Sequence, residues 1–161
     1  MVFKCKDERK EVKKTLTYDD VQIVPKYSEL EHRGDIDLNT KLTKNGKLWI
    51  PIVASPMDSV TEYEMAYAMW NFGGIGFIHR FMDIEEQSNM VDSLKKEIEK
   101  DWKGTKHLEV SDETREWFEN PLIGAAIGVT GDYLERAREL VWNGCNVILI
   151  DVAHGHHKLV G

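Results

Sequence analysis

From position 48 onward, short unbroken apolar runs alternate with stretches whose apolar residues recur at helical spacing. Residues 48–54 form the first run, with Pro51 near its start, where a missing backbone donor is tolerated. Ile75-Gly76-Phe77-Ile78 is the second, residues 121–127 the third, and Val147-Ile148-Leu149-Ile150 the fourth, closed by the acid Asp151. Such runs suit strands buried on both faces of a parallel sheet. After the first run, Thr61 and Glu64 read as a capping box, with Val60 and Met65 as its hydrophobic staple. The pattern predicts a helix to about position 71 that buries Met65, Met69 and Phe72 and ends at Gly73-Gly74. Asp83, with Glu86 at the third helical position, predicts a second helix whose inward stripe is Val91, Leu94 and Ile98. Asp132 and Glu135 open a third, with Leu134, Ala137 and Val141 as its apolar face and Gly144 as its end. Residues 101–120 are polar and weakly patterned, a surface excursion with room for one short helix, and residues 16–42 read as a turn-rich lead-in with short strands.

Four strands and three helices in alternation imply parallel strands joined by right-handed crossovers. A doubly wound sheet and part of a (β/α)8 barrel both satisfy that pattern. Gly73-Gly74-Ile75-Gly76 precedes a strand instead of opening a helix, so it is no dinucleotide-binding turn, and the barrel is favoured. A complete barrel needs about 250 residues, so residues 16–161 supply roughly half of one, behind a lead-in at residues 1–15. The 161 residues carry a formal charge of -7, which argues against a nucleic-acid or membrane-surface binder. A basic cluster (Lys4, Lys6, Arg9, Lys10, Lys13, Lys14) is diluted by acids and reads as a solvated lead-in. No apolar stretch is long enough to span a bilayer, and the opening residues do not read as a signal peptide. Two cysteines, Cys5 and Cys145, make no disulfide framework, so a reducing cytoplasm is the expected compartment.

Each apolar run is followed by a loop with chemistry in it. Ser55-Pro56-Met57-Asp58 follows the first, His79-Arg80 the second, Gly128-Val129-Thr130-Gly131 the third and residues 151–157 the fourth. In a barrel these loops leave from one face. A serine hydroxyl beside backbone donors suits a phosphate or ribose, Asp151 suits a ribose hydroxyl pair, and Arg80 could hold a phosphate bidentately. The plainer alternative is that Ser55 and Asp58 merely cap the next helix. His154, His156 and His157 invite a metal, but no cysteine or carboxylate cluster at ligand spacing accompanies them. Cys145 sits at the amino end of its strand, away from those loops, and reads as a small buried thiol, not a nucleophile.

Several of these segments, in this order, resemble the inosine monophosphate dehydrogenase / guanosine monophosphate reductase family. The motifs are Leu16-Thr17-Tyr18-Asp19-Asp20-Val21, Ser55-Pro56-Met57-Asp58-Ser59-Val60-Thr61-Glu62, Gly73-Gly74-Ile75-Gly76-Phe77-Ile78-His79, residues 124–133 and residues 151–156. The resemblance covers residues 15–161. It implies a (β/α)8 barrel, usually a homotetramer, that moves a hydride between C2 of a purine nucleotide and a nicotinamide cofactor. By that resemblance Ser55 and Met57 contact the nucleotide, and Asp151, Val152 and Ala153 contact the dinucleotide. Arg80 matches a basic cofactor contact of the reductases, and Arg33 one that reaches a neighbouring subunit.

The family's catalytic cysteine, which attacks C2, belongs to the second half of the barrel, as do its glycine-rich phosphate loop, potassium site and mobile flap. No catalytic residue is therefore assigned within these 161 residues, which by themselves are expected to be inactive. Most of the dehydrogenases insert a pair of regulatory CBS modules where this chain has only residues 101–120, a link too short to hold them. The reductases lack that insertion too. The wording of residues 73–79 and 128–134 nevertheless reads more like a dehydrogenase. The expectation is an enzyme that converts IMP and NAD to XMP and NADH in guanine nucleotide biosynthesis. The alternatives are a GMP reductase, taking GMP and NADPH to IMP and ammonia, or a non-catalytic half-barrel binding module.

Overall fold

The computed structural model describes residues 3–4, 11–12, 15–105 and 107–161. Cys5 and most of the N-terminal basic cluster (Lys6, Arg9, Lys10, Lys13, Lys14) lie outside the described residues. The chain divides into two compact units, Met1–Ile36 and Asp37–Gly161. In the first, β1 (Phe3–Lys4) pairs antiparallel with β2 (Glu11–Val12). Two single 3-10 turns follow, Tyr18–Asp20 and Arg33–Asp35. Each is closed by its own aspartate: Asp20 accepts from the Thr17 amide at 2.9 Å and Asp35 from the His32 amide at 3.0 Å.

The second unit opens with an antiparallel pair, β3 (Thr40–Lys41) and β4 (Lys47–Leu48). A parallel sheet follows, built from β5 (Val53–Ala54), β6 (Ile75–Ile78), β7 (Gly124–Ile127) and β8 (Val147–Ile150). Its strands lie in chain order with no reversal, so the crevice that a doubly wound sheet makes at its switch point does not arise among the described strands. The helices are α1 (Tyr63–Asn71), α2 (Ile84–Thr105), α3 (Asp112–Glu119) and α4 (Tyr133–Trp142). None among the described residues is long and apolar enough to cross a membrane. The architecture is α/β with a parallel four-stranded sheet and four helices; among the described residues β5 and β8 are its two open edges.

Where the sequence offers a single consistent phase, the helix follows it. The Asp83 carboxylate accepts from the Glu86 amide at 2.7 Å and starts α2. Val91, Leu94 and Ile98 from that helix are fully buried. At Gly73, α1 ends in a Schellman motif: the Gly73 amide donates to the Trp70 carbonyl at 2.9 Å and the Gly74 amide to that of Met69 at 2.8 Å. At Gly144 α4 repeats it, Gly144 donating to Val141 at 3.1 Å and Cys145 to Leu140 at 2.9 Å. Gly73 and Gly144 have φ of 86° and 108°, which only glycine adopts without strain.

Elsewhere the structure corrects the pattern. The run over residues 48–54 is two strands: Leu48 belongs to the antiparallel pair, and only Val53–Ala54 joins the parallel sheet, beyond Pro51. Helix α1 starts at Tyr63, and the expected capping box at Thr61 does not form. Its buried face is Ala66 and Trp70, whereas Met65 and Phe72 are exposed. The close seat of α1 on β6 explains this, since a Cβ at Gly76 would meet the Ala66 Cα at 2.8 Å and only a small residue fits there. Helix α4 buries Arg136 and Leu140, while Leu134 and Val141 face outward. Residues 101–120 hold one short helix as expected, α3, capped by Ser111, but they are not all excursion: α2 runs on to Thr105, and α3 carries a buried Trp117. Trp117 stacks on Trp49 at 4.8 Å and on Trp70 at 6.1 Å. Finally, β8 is not buried on both faces: Ile148 and Leu149 are half-buried and Ile150 is exposed.

Candidate functional site

Parallel strands in one sheet send the loops at their carboxyl ends to the same edge. Ser55, Arg80, Gly128 and Asp151 each lie within two residues of the end of β5, β6, β7 and β8 respectively. After β5 the chain folds back on itself. The Ser55 carbonyl accepts from the Met57 amide at 2.8 Å and from the Thr61 hydroxyl at 2.6 Å. Thr61 is fully buried, so this bond pins the base of the loop and leaves Ser55, Met57 and Asp58 exposed above it. Glu62 takes the N-cap position of α1, so the capping alternative for Ser55 and Asp58 falls away. Neither side chain makes a hydrogen bond among the described residues.

After β6, His79 is buried and its ring is fully assigned by its neighbours. Nδ1 accepts from the Phe81 amide at 3.1 Å, so Nε2 carries the proton and donates to Glu62 Oε1 at 3.2 Å. This pair ties the loop after β6 to the start of α1. Nothing in the sequence pattern links His79 to Glu62, since only the fold brings them together.

Arg80 leaves that loop toward β8. Its Nε donates to Asp151 Oδ2 at 3.3 Å, and its guanidinium carbon lies 5.0 Å from the centre of the Phe81 ring. A Cβ placed on Gly128 would lie 3.5 Å from Arg80 Nη1, so the arginine passes directly over the glycine loop. The two side chains remain 35% and 31% exposed, enough to meet a ligand. Asp151 is anchored through its own amide, which donates to the Ile127 carbonyl at 2.9 Å. Val152 beside it is half-buried and Ala153 exposed. The fold thus brings Arg80 and Asp151 into contact and sets Ser55 and Met57 on the same edge of the sheet. Arg33 belongs to the first unit, exposed on its 3-10 turn.

The remaining candidates sort by burial. His154, His156 and His157 are exposed, with 6.4 Å between the ring centres of the first two. Among the described residues no group of three or more His, Cys, Asp or Glu could hold a metal ion. Cys145 is buried at the amino end of β8, and its thiol donates to the Val147 carbonyl at 3.4 Å. Burial pushes that thiol up to about 11, which leaves it inert at neutral pH. Asp132 does not bond the backbone of α4 through its side chain. It accepts from Arg136 Nη2 at 2.7 Å, and that hydrogen bond holds its carboxyl below the usual carboxylate range.

Residues 15–161 match the family model described as IMP dehydrogenase / GMP reductase domain. The chain belongs to this family. An inosine-5'-monophosphate dehydrogenase of Cryptosporidium parvum is 40% identical over 168 residues, covering 91% of this chain and 41% of that protein. One from Borreliella burgdorferi is 37% identical over 172 residues, 89% of this chain and 42% of its own length. One from Bacillus subtilis is 49% identical over 89 residues, 55% of this chain and 18% of its own. The chain therefore spans about two fifths of the length of the first and second of these relatives.

Proposed function

We propose that residues 16–161 are the first half of a (β/α)8 barrel in a purine nucleotide oxidoreductase of the IMP dehydrogenase kind. In this reading Ser55 and Met57 face the nucleotide, while Arg80, Asp151, Val152 and Ala153 face a nicotinamide dinucleotide. Arg33 serves a neighbouring subunit of a homotetramer, and the enzyme works in the cytoplasm. The observation that carries the reading is the Arg80–Asp151 contact of 3.3 Å, on the same strand-end edge as the exposed Ser55 loop.

The chemistry of that donor set fits NAD. Among the described residues Asp151 uses one carboxylate oxygen on Arg80, leaving the other to accept from ribose hydroxyls. Arg80 uses only Nε, so its two terminal nitrogens stay available to phosphate or carbonyl oxygens. Held there, a nicotinamide dinucleotide would supply the acceptor for the hydride that leaves C2 of the purine nucleotide. The residues of this chain bind and orient, and their contribution is proximity. That the relatives described above are inosine-5'-monophosphate dehydrogenases favours the dehydrogenase over a reductase.

The test is an assay of the complete enzyme with each nucleotide. IMP with NAD is expected to give a rise in the absorbance of reduced nicotinamide. A fall with GMP and NADPH, and no response to IMP, would assign the reductase instead. Silence with both pairs overturns the oxidoreductase reading.

A further inference from the structure

Beneath the strand-end loops lies a buried polar network that binding of the ligands does not use. Gln87, from α2, is fully buried. Its Nε2 donates to the Ile78 carbonyl at 3.1 Å and the Ala126 carbonyl at 3.0 Å, and its Oε1 accepts from Arg136 Nη1 at 2.8 Å. Arg136, from α4, is only 6% exposed. Its Nη2 donates to the Met82 carbonyl at 3.0 Å and to Asp132 Oδ2 at 2.7 Å, and Nη1 also reaches the Asp83 carbonyl at 3.4 Å. The orientation of the amide is forced, because a flip would set its oxygen against two carbonyls and its nitrogen against the guanidinium.

The partners share one property: each flanks a loop that carries the candidate site. Ile78 is the last residue of β6, directly before His79-Arg80, and Met82 and Asp83 close that same loop. Ala126 is near the end of β7, two residues before Gly128, and Asp132 closes the loop that Gly128 opens. Burying a guanidinium among backbone carbonyls is expensive, and apolar residues would fill the same space without that cost. What apolar residues could not do is hold two loops to one another at hydrogen-bond precision.

We propose that Gln87 and Arg136 are positioning residues for the cofactor side of the site. They fix the loops after β6 and β7 against each other, so that Arg80 stays over Gly128 with Nε aimed at Asp151. Neither residue touches ligand; both act through Arg80. The inference rests on the cofactor reading of Arg80 and Asp151 given above.

The test uses the complete enzyme and measures Michaelis constants for cofactor and nucleotide separately, together with the melting temperature. Arg136→Met and Gln87→Met are expected to raise the cofactor constant roughly tenfold, with the nucleotide constant within about twofold of wild type. Arg136→Lys is expected to recover part of that loss, and Arg80→Ala combined with Arg136→Met to lose no more than Arg80→Ala alone. A lower melting temperature with both constants unchanged would make the network merely structural and overturn the proposal, as would an equal rise in both. Should Arg136→Met fail to fold, Arg136→Lys and Gln87→Met decide by the same split. If Arg80→Ala itself leaves the cofactor constant alone, the cofactor reading fails. If Arg80→Ala raises it while the Gln87 and Arg136 variants do not, only the positioning claim fails.

Discussion

Arg80 and Asp151 are 71 positions apart in the chain, yet their side chains meet at 3.3 Å. Both are about one-third exposed, and an ion pair in that setting is screened and adds roughly 0–1 kcal/mol to stability. Its value lies in holding two polar groups at a fixed spacing for a third party. Cys145 shows the opposite effect of place, because burial holds its thiol neutral up to about 11 from an ordinary value of 9.0. A folded-state value above the unfolded one contributes stability that is fully present below the unfolded pKa and is lost as pH rises through the folded one. Urea unfolding midpoints of the wild type are therefore expected to fall faster between about pH 9 and about 11 than those of Cys145→Ala. Parallel profiles would mean the thiol is not sequestered. Tyr67 adds a loss of the same sign at higher pH, since its hydrogen bond to Asp101 pushes its hydroxyl up to about 12.

Between α1 and β6 the packing leaves no room for a side chain. A side chain at Gly76 would bring Cβ to 2.8 Å from the Ala66 Cα and 3.1 Å from Thr61 Cγ2. Gly76→Val is therefore expected to push α1 off the sheet and to destabilise by about 1–3 kcal/mol, read from the urea midpoint at unchanged slope. A neutral effect would show that the joint has slack. Helix α2 was legible because its one apolar stripe, Val91, Leu94 and Ile98, allows a single phase. Helix α1 was not, because Tyr63, Met65, Ala66, Met69 and Trp70 make it apolar nearly all round, and close packing chose the face with the smallest residue. On α4 the inward position belongs to Arg136, whose partners come from distant loops, so polarity pointed the wrong way. In α3 a lone buried tryptophan gives no period to read; its place is set by stacking on Trp49 and Trp70. Asp151 and Arg80 could be picked out because strand ends are visible in sequence. The His79–Glu62 and Gln87–Arg136 pairs exist only once the strands are side by side.

For the molecule as a whole, four parallel strands in chain order carry four loops to one edge of the second unit, and β5 and β8 stay open among the described residues. Ile52, Val53 and Ile150 are exposed on or beside those strands, and Leu134, Val141 and Trp142 on α4. In the proposed barrel the strands and helices of the second half would cover these surfaces. Membership of the IMP dehydrogenase / GMP reductase family rests on a match that runs from residue 15 to 161. The strand-end edge is proposed to bind the cofactor through Asp151. The most direct check is the Michaelis constant for NAD of Asp151→Ala in the complete enzyme, against that for the nucleotide. Loss of charge-assisted hydrogen bonds is expected to raise the NAD constant about tenfold or more and to leave the nucleotide constant nearly unchanged. A variant with the wild-type constant for NAD would contradict the claim.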